Sequence, residues 1–116
     1  MITLYGIPNC DTVKKARAWL DARGIAHAFH DYKKAGADAA QVARWVEAAG
    51  LGVVLNRAGT TFRKLPDADK ARADADPAAA IALMVAQPSL IKRPVVEHAG
   101  VLLVGFKEAE WATALG

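Results

Sequence analysis

The sequence predicts an α/β protein in which a helical segment interrupts a sheet. Three observations carry this. A β-prone run opens the chain and leads at once into an amphipathic helix, the middle of the chain is dominated by helical patterns, and two short apolar runs near the C-terminus are separated by Ala99-Gly100. The resulting order is β-α-β, several helices, then β-β-α, with no internal repeat and no low-complexity linker. At 116 residues and 53% hydrophobic content, the chain suits one domain with a single core.

Residues 2–5, Ile-Thr-Leu-Tyr, form the first strand, which Gly6 and Pro8 end. From Asp11 the period changes. Val13, Ala16, Trp19 and Leu20 recur at helical spacing with Lys14, Lys15 and Arg17 between them, and Gly24 supplies a C-terminal stop. Residues 26–32, AHAFHDY, alternate in the manner of a second strand. Asp38 caps a helix that carries Val42, Trp45, Val46 and Ala49 and closes at Gly50. In GLGVVLNRAGTTFRKL, Asn56 and Gly59 suggest a loop, and Arg57, Arg63, Lys64 and the later Lys70 make the region cationic. Asp76 caps a further helix whose first position is Pro77 and which ends before Pro88. VVEHA and VLLVGF then read as a hairpin, and a final helix sets Trp111, Ala114 and Leu115 on its inner side.

Composition narrows the function classes. No apolar run approaches the roughly 20 residues of a membrane span, and the N-terminus lacks the pattern of a signal peptide, so a soluble cytoplasmic protein is expected. The formal charge of +3 suits a small anionic ligand as well as nucleic acid. Trp19, Trp45 and Trp111 lie at helical core spacing, which packing explains better than base stacking, and nucleic acid is not expected as a partner. His27 and His30 would point to opposite faces of a strand, and Asp67, Asp69, Asp74 and Asp76 lack the glycine and terminal Glu of a calcium loop. The histidines read as surface or half-buried side chains and the aspartates as a solvated helical face and a cap, and no metal site is expected.

The chain has one cysteine, so an internal disulfide is impossible and any disulfide chemistry must use an external sulfur. A lone cysteine is ordinarily an inert small hydrophobe. Cys10 instead precedes the apolar stripe and sits in the polar turn PNCDT at a helix start, where free N–H groups and the positive helix end favour thiolate. Lys14 adds to that field and Asp11 opposes it. A nucleophilic cysteine is therefore expected.

The segments NCDTVKKA, GTTFRKL and LIKRPVV, in this order and at these separations, resemble the ArsC/Spx family, the arsenate-reductase-like branch of the thioredoxin superfamily. The resemblance extends over essentially the whole chain. It implies a thioredoxin-like fold with a mixed four-stranded sheet, its core from about 1–32 and 89–116, and a helical insertion at about 33–88. It also implies a cis Pro94 facing the thiol, with Arg93 directed at Cys10 to hold an oxyanion or a glutathione carboxylate bidentately. The family's arsenate reductases surround the oxyanion with three arginines. Cys10 and Arg93 match; Ala58 stands where related proteins carry the second arginine, so either Arg57 or Arg63 would have to serve, and Gly105 falls near the third. Val13 replaces the serine that supports the thiol, and Gly6 replaces a histidine.

Fewer cations and donors weaken the case for arsenate as the main substrate. The resemblance then implies a glutathione-dependent thiol reductase acting on a small oxidised or oxyanion substrate, with residual arsenate reduction. Cys10 would be catalytic, and Arg93, Pro94, Lys14 and Arg57 or Arg63 would bind substrate. No tightly bound cofactor is implied; glutathione would be the co-substrate and glutaredoxin a partner. The alternative is a regulator of the Spx kind that binds RNA polymerase without catalysis. Its usual Cys-x-x-Cys switch is absent, because Val13 occupies the second position.

Overall fold

The computed structural model describes residues 2–115, which divide into two compact units, 2–35 with 93–115 and 36–92. The element order is β1 (Ile2–Gly6), α1 (Asp11–Ala22), β2 (His27–Asp31), α2 (Tyr32–Ala35), α3 (Ala39–Ala49), α4 (Leu51–Val54), α5 (Thr60–Arg63), α6 (Asp67–Ala75), α7 (Pro77–Ala86), a 3-10 turn (Pro88–Leu90), β3 (Val95–His98), β4 (Val101–Val104) and α8 (Glu108–Leu115). No helix among the described residues is long and apolar enough to cross a membrane.

The first unit holds a four-stranded mixed sheet in the order β2-β1-β3-β4. β1 runs parallel to β2 and antiparallel to β3, and β3 runs antiparallel to β4. The period-2 pattern of β1 turns Ile2, Leu4 and Gly6 inward, where Ile2 and Leu4 pack with Val13, Ala16 and Leu20 of α1 and with Val96 and Trp111. Gly6 matters here because a Cβ at that position would lie 2.9 Å from Val13 Cγ2. Its missing side chain lets α1 approach the strand. The hairpin turns through Ala99 (φ 47°) and Gly100 (φ 83°), the paired positive angles of a two-residue loop. Trp19, Phe106 and Trp111 meet edge to face, and the Arg23 guanidinium lies 4.3 Å from the Trp19 ring centre.

Two local expectations are corrected in this unit. The second strand stops at Asp31 rather than Tyr32, because Asp31 Oδ1 accepts the N–H groups of Lys33 and Lys34 and starts the short helix α2. Tyr32 is thereby turned into the interior. On α8, Trp111 is buried and Leu115, one turn on, is half-buried, but Ala114 is exposed. The inner stripe of so short a helix follows the i, i+4 pair alone.

The second unit is helical. Asp38 Oδ2 accepts the Gln41 N–H at 3.0 Å to cap α3, and Asp76 Oδ1 accepts the Ala78 N–H at 3.1 Å to cap α7, with Pro77 in its first turn. The stretch around Asn56 and Gly59 is more regular than a loop. Leu51–Val54 and Thr60–Arg63 each form one helical turn, and between them Leu55 pairs with Ile91 while Asn56 N–H donates to the Leu90 carbonyl. These long-range bonds, with Lys92 N–H to the Val54 carbonyl, satisfy backbone groups that the two short helices leave open. Val42, Trp45, Val54, Ala80, Met84, Leu90 and Ile91 are all buried.

Candidate active site

Cys10 is the N-cap of α1, with extended backbone (φ −108°, ψ 124°), and its carbonyl accepts the Lys14 N–H at 3.0 Å. The neutral thiol is a weak acceptor and closes no formal cap hydrogen bond. The amides of Val13 and Thr12 nonetheless face the sulfur, in the positions from which an N-cap side chain is normally served. Partial burial raises the thiol pKa, but these two amides and the Arg93 guanidinium, which hydrogen-bonds and attracts the sulfur, outweigh it and hold the thiol below its ordinary value. Cys10 itself is half-buried at the edge of the Leu4–Val13–Trp111 core, open enough to react.

The sheet register brings the contributing segments to one end. Gly6 lies opposite Asp31, and Tyr5 lies opposite Val95. The chain therefore leaves β1 toward Cys10, leaves β2 into Tyr32 and enters β3 from Arg93-Pro94 at that same end. The Arg93–Pro94 peptide is cis, Pro94 is buried, and its carbonyl accepts the Gly105 N–H at 2.8 Å. Gly105 has φ 77° and its carbonyl accepts Trp111 Nε1–H at 3.1 Å, so this position fastens the Pro94 segment to α8. A side chain there would meet the strain of that φ value.

The other basic candidates are engaged differently. Lys14 is exposed, and its bond to Cys10 runs through the backbone. Arg57 and Arg63 belong to the helical unit and are held within it. Arg57 Nε and Nη2 both donate to Asp74 Oδ1, at 3.1 and 3.0 Å, and Arg63 Nε and Nη2 donate to the Ala58 carbonyl at 3.1 and 2.6 Å.

The sequence reading missed Tyr32. It is 1% exposed, hydrogen-bonds through its side chain to Arg93 and feels the charge of Cys10. Burial is the main reason that its phenol is pushed far above the ordinary tyrosine value, so it stays neutral. Nothing in the local pattern AHAFHDY marks the tyrosine, since its partners are remote in sequence.

The sequence model of the ArsC family matches residues 5–114. An uncharacterized protein of Haemophilus influenzae is 40% identical over 114 residues, 98% of each chain. An arsenate reductase of Rhizobium meliloti is 32% identical over 97 residues, 82% of this chain and 67% of the relative, and the global transcriptional regulator Spx of Streptococcus agalactiae is 26% identical over 113 residues, 95% and 80%. Among solved structures, that of a YffB protein is 57% identical over the full length of both chains with a TM-score of 0.94. The mixed four-stranded sheet with its helices is thus the thioredoxin-like arrangement shared with these proteins.

Proposed function

The chain belongs to the ArsC family, and from that premise we propose that it is a glutathione-dependent thiol reductase in which Cys10 is the nucleophile and Arg93 holds the anionic part of the substrate. With a disulfide substrate, the Cys10 thiolate attacks one sulfur, forming a mixed disulfide and releasing the other half as a thiolate that takes up a proton. A glutathione thiolate then attacks the substrate sulfur of that mixed disulfide and frees Cys10. A second glutathione resolves the product, so that one disulfide and two glutathione molecules give two thiols and one glutathione disulfide.

One observation carries the reading: the single thiol is half-exposed, with two helix-start amides and a guanidinium favouring its ionised form. The external thiol enters because the chain holds no second cysteine. Arsenate is at most a secondary substrate, since Gly105 and Val13 offer neither cation nor hydroxyl at the places where the resemblance implies them. Glutathione-dependent reduction of a small organic disulfide, coupled to glutathione reductase, tests the proposal. Wild-type protein should turn over and Cys10→Ser should not; turnover retained by Cys10→Ser overturns it.

A further inference from the structure

We propose that Tyr32 is the positioning residue of this site: its buried hydroxyl accepts a hydrogen bond from the Arg93 guanidinium and so fixes that cation against the Cys10 sulfur. The role of Tyr32 in catalysis rests on the reading of Cys10 as nucleophile, whereas its effect on the thiol does not.

The argument begins with the cost of holding Arg93 in place. An arginine side chain loses much rotamer freedom when fixed, and that of half-buried Arg93 would otherwise divide its time between the thiol and solvent. Tyr32 supplies a rigid acceptor with only two side-chain torsions, in an interior position that its 1% exposure keeps constant. The fold secures it in turn. Asp31 ends β2 opposite Gly6 and caps α2, which directs Tyr32 inward at the same sheet end as Cys10 and Arg93.

The chemistry of the acceptor matters as much as its position. A carboxylate in this place would also hold the guanidinium, but it would neutralise the charge. A neutral phenol orients Arg93 and leaves its positive charge available to the thiolate and to an incoming anion. The groups bearing on this arrangement are Arg93, Cys10 and the Asp31 carboxylate around Tyr32, and the Thr12 and Val13 amides and Arg93 around Cys10, with Asp11 and Lys14 beside it on the first turn of α1.

The test is a double-mutant cycle read by thiolate absorbance across pH on the full chain without glutathione: wild type, Tyr32→Phe, Arg93→Gln and the double variant. Tyr32→Phe should raise the Cys10 midpoint, lowering the thiol's acid dissociation constant about 3- to 10-fold. In the Arg93→Gln background it should leave the midpoint where it is. No shift in the presence of Arg93, or an equal shift in both backgrounds, overturns the proposal. A purely structural tyrosine would not make its effect depend on Arg93. Should Tyr32→Phe fail to fold, nuclear Overhauser contacts between the Arg93 guanidinium protons and the Tyr32 ring in the wild type decide the matter; their presence supports the proposal and their absence overturns it. The disulfide turnover assay stands apart from these readings. Coupling without turnover retains the positioning role and removes the reductase, and turnover without coupling does the reverse.

Discussion

At Cys10 the opposing effects can be ranked. Removal from water raises the thiol, yet two backbone amides and a guanidinium more than offset it. Alkylation by iodoacetamide should therefore reach half its maximal rate at a pH below that of an ordinary thiol, and Arg93→Gln should move the midpoint upward; an unchanged profile would exclude Arg93 from this effect. The same lowering has a stability consequence of definite sign. Because the folded thiol ionises at lower pH than the unfolded one, its contribution is complete above the unfolded value of about 8.5 and vanishes as pH falls through the folded value. Urea midpoints of wild type and Cys10→Ser should accordingly diverge in favour of wild type as pH rises toward the unfolded value of about 8.5, and a parallel course on that approach would contradict the shift.

At the level of elements, the packing of α1 on β1 depends on a missing atom. Ala at position 6 would bring a Cβ to 2.9 Å from Val13 Cγ2, against a helix whose Val13, Ala16 and Leu20 are fully buried. Gly6→Ala is expected to cost about 1–3 kcal/mol by overpacking, measured by urea denaturation, and to displace the start of α1 that carries Cys10. Loss of the α3 cap in Asp38→Ala should cost about 1 kcal/mol without affecting the thiol titration. Elements defined by such local signals were legible in the sequence: the Asp38 and Asp76 caps, Pro77, the Val13–Leu20 stripe and the Ala99-Gly100 turn each act within a few residues. The two one-turn helices around Leu55 were not, because the Ile91 and Leu90 partners that stabilise them lie some 35 residues away. Tyr32 and Ala114 differ for a related reason: strand alternation and helix periodicity say which faces exist, and tertiary contacts decide where each one ends.

Across the whole molecule, the polar groups that act on the thiol come from two distant segments of one unit, the start of α1 and Arg93 before β3, and Tyr32 after β2 joins them through its hydrogen bond to Arg93. A helix-start cysteine is a local feature and readable as such. The pairing of residues 10, 32 and 93 arises from the parallel and antiparallel registers of β1, which no periodicity in the chain announces; only the resemblance pointed to Arg93. The cations of the helical unit follow a different logic, since Arg57 is held by Asp74 and Arg63 by the Ala58 carbonyl. An exposed pair of the Arg57–Asp74 kind contributes about 0–1 kcal/mol, so Arg57→Ala and Arg63→Ala should fold normally. If the sheet unit alone sets the reactivity of the sulfur, both variants will keep the wild-type thiolate titration while Arg93→Gln raises its midpoint. A rise in Arg57→Ala or Arg63→Ala as large as that in Arg93→Gln would show that the thiol answers to the helical unit as well, and the electrostatic account based on Val13, Thr12 and Arg93 would then be incomplete.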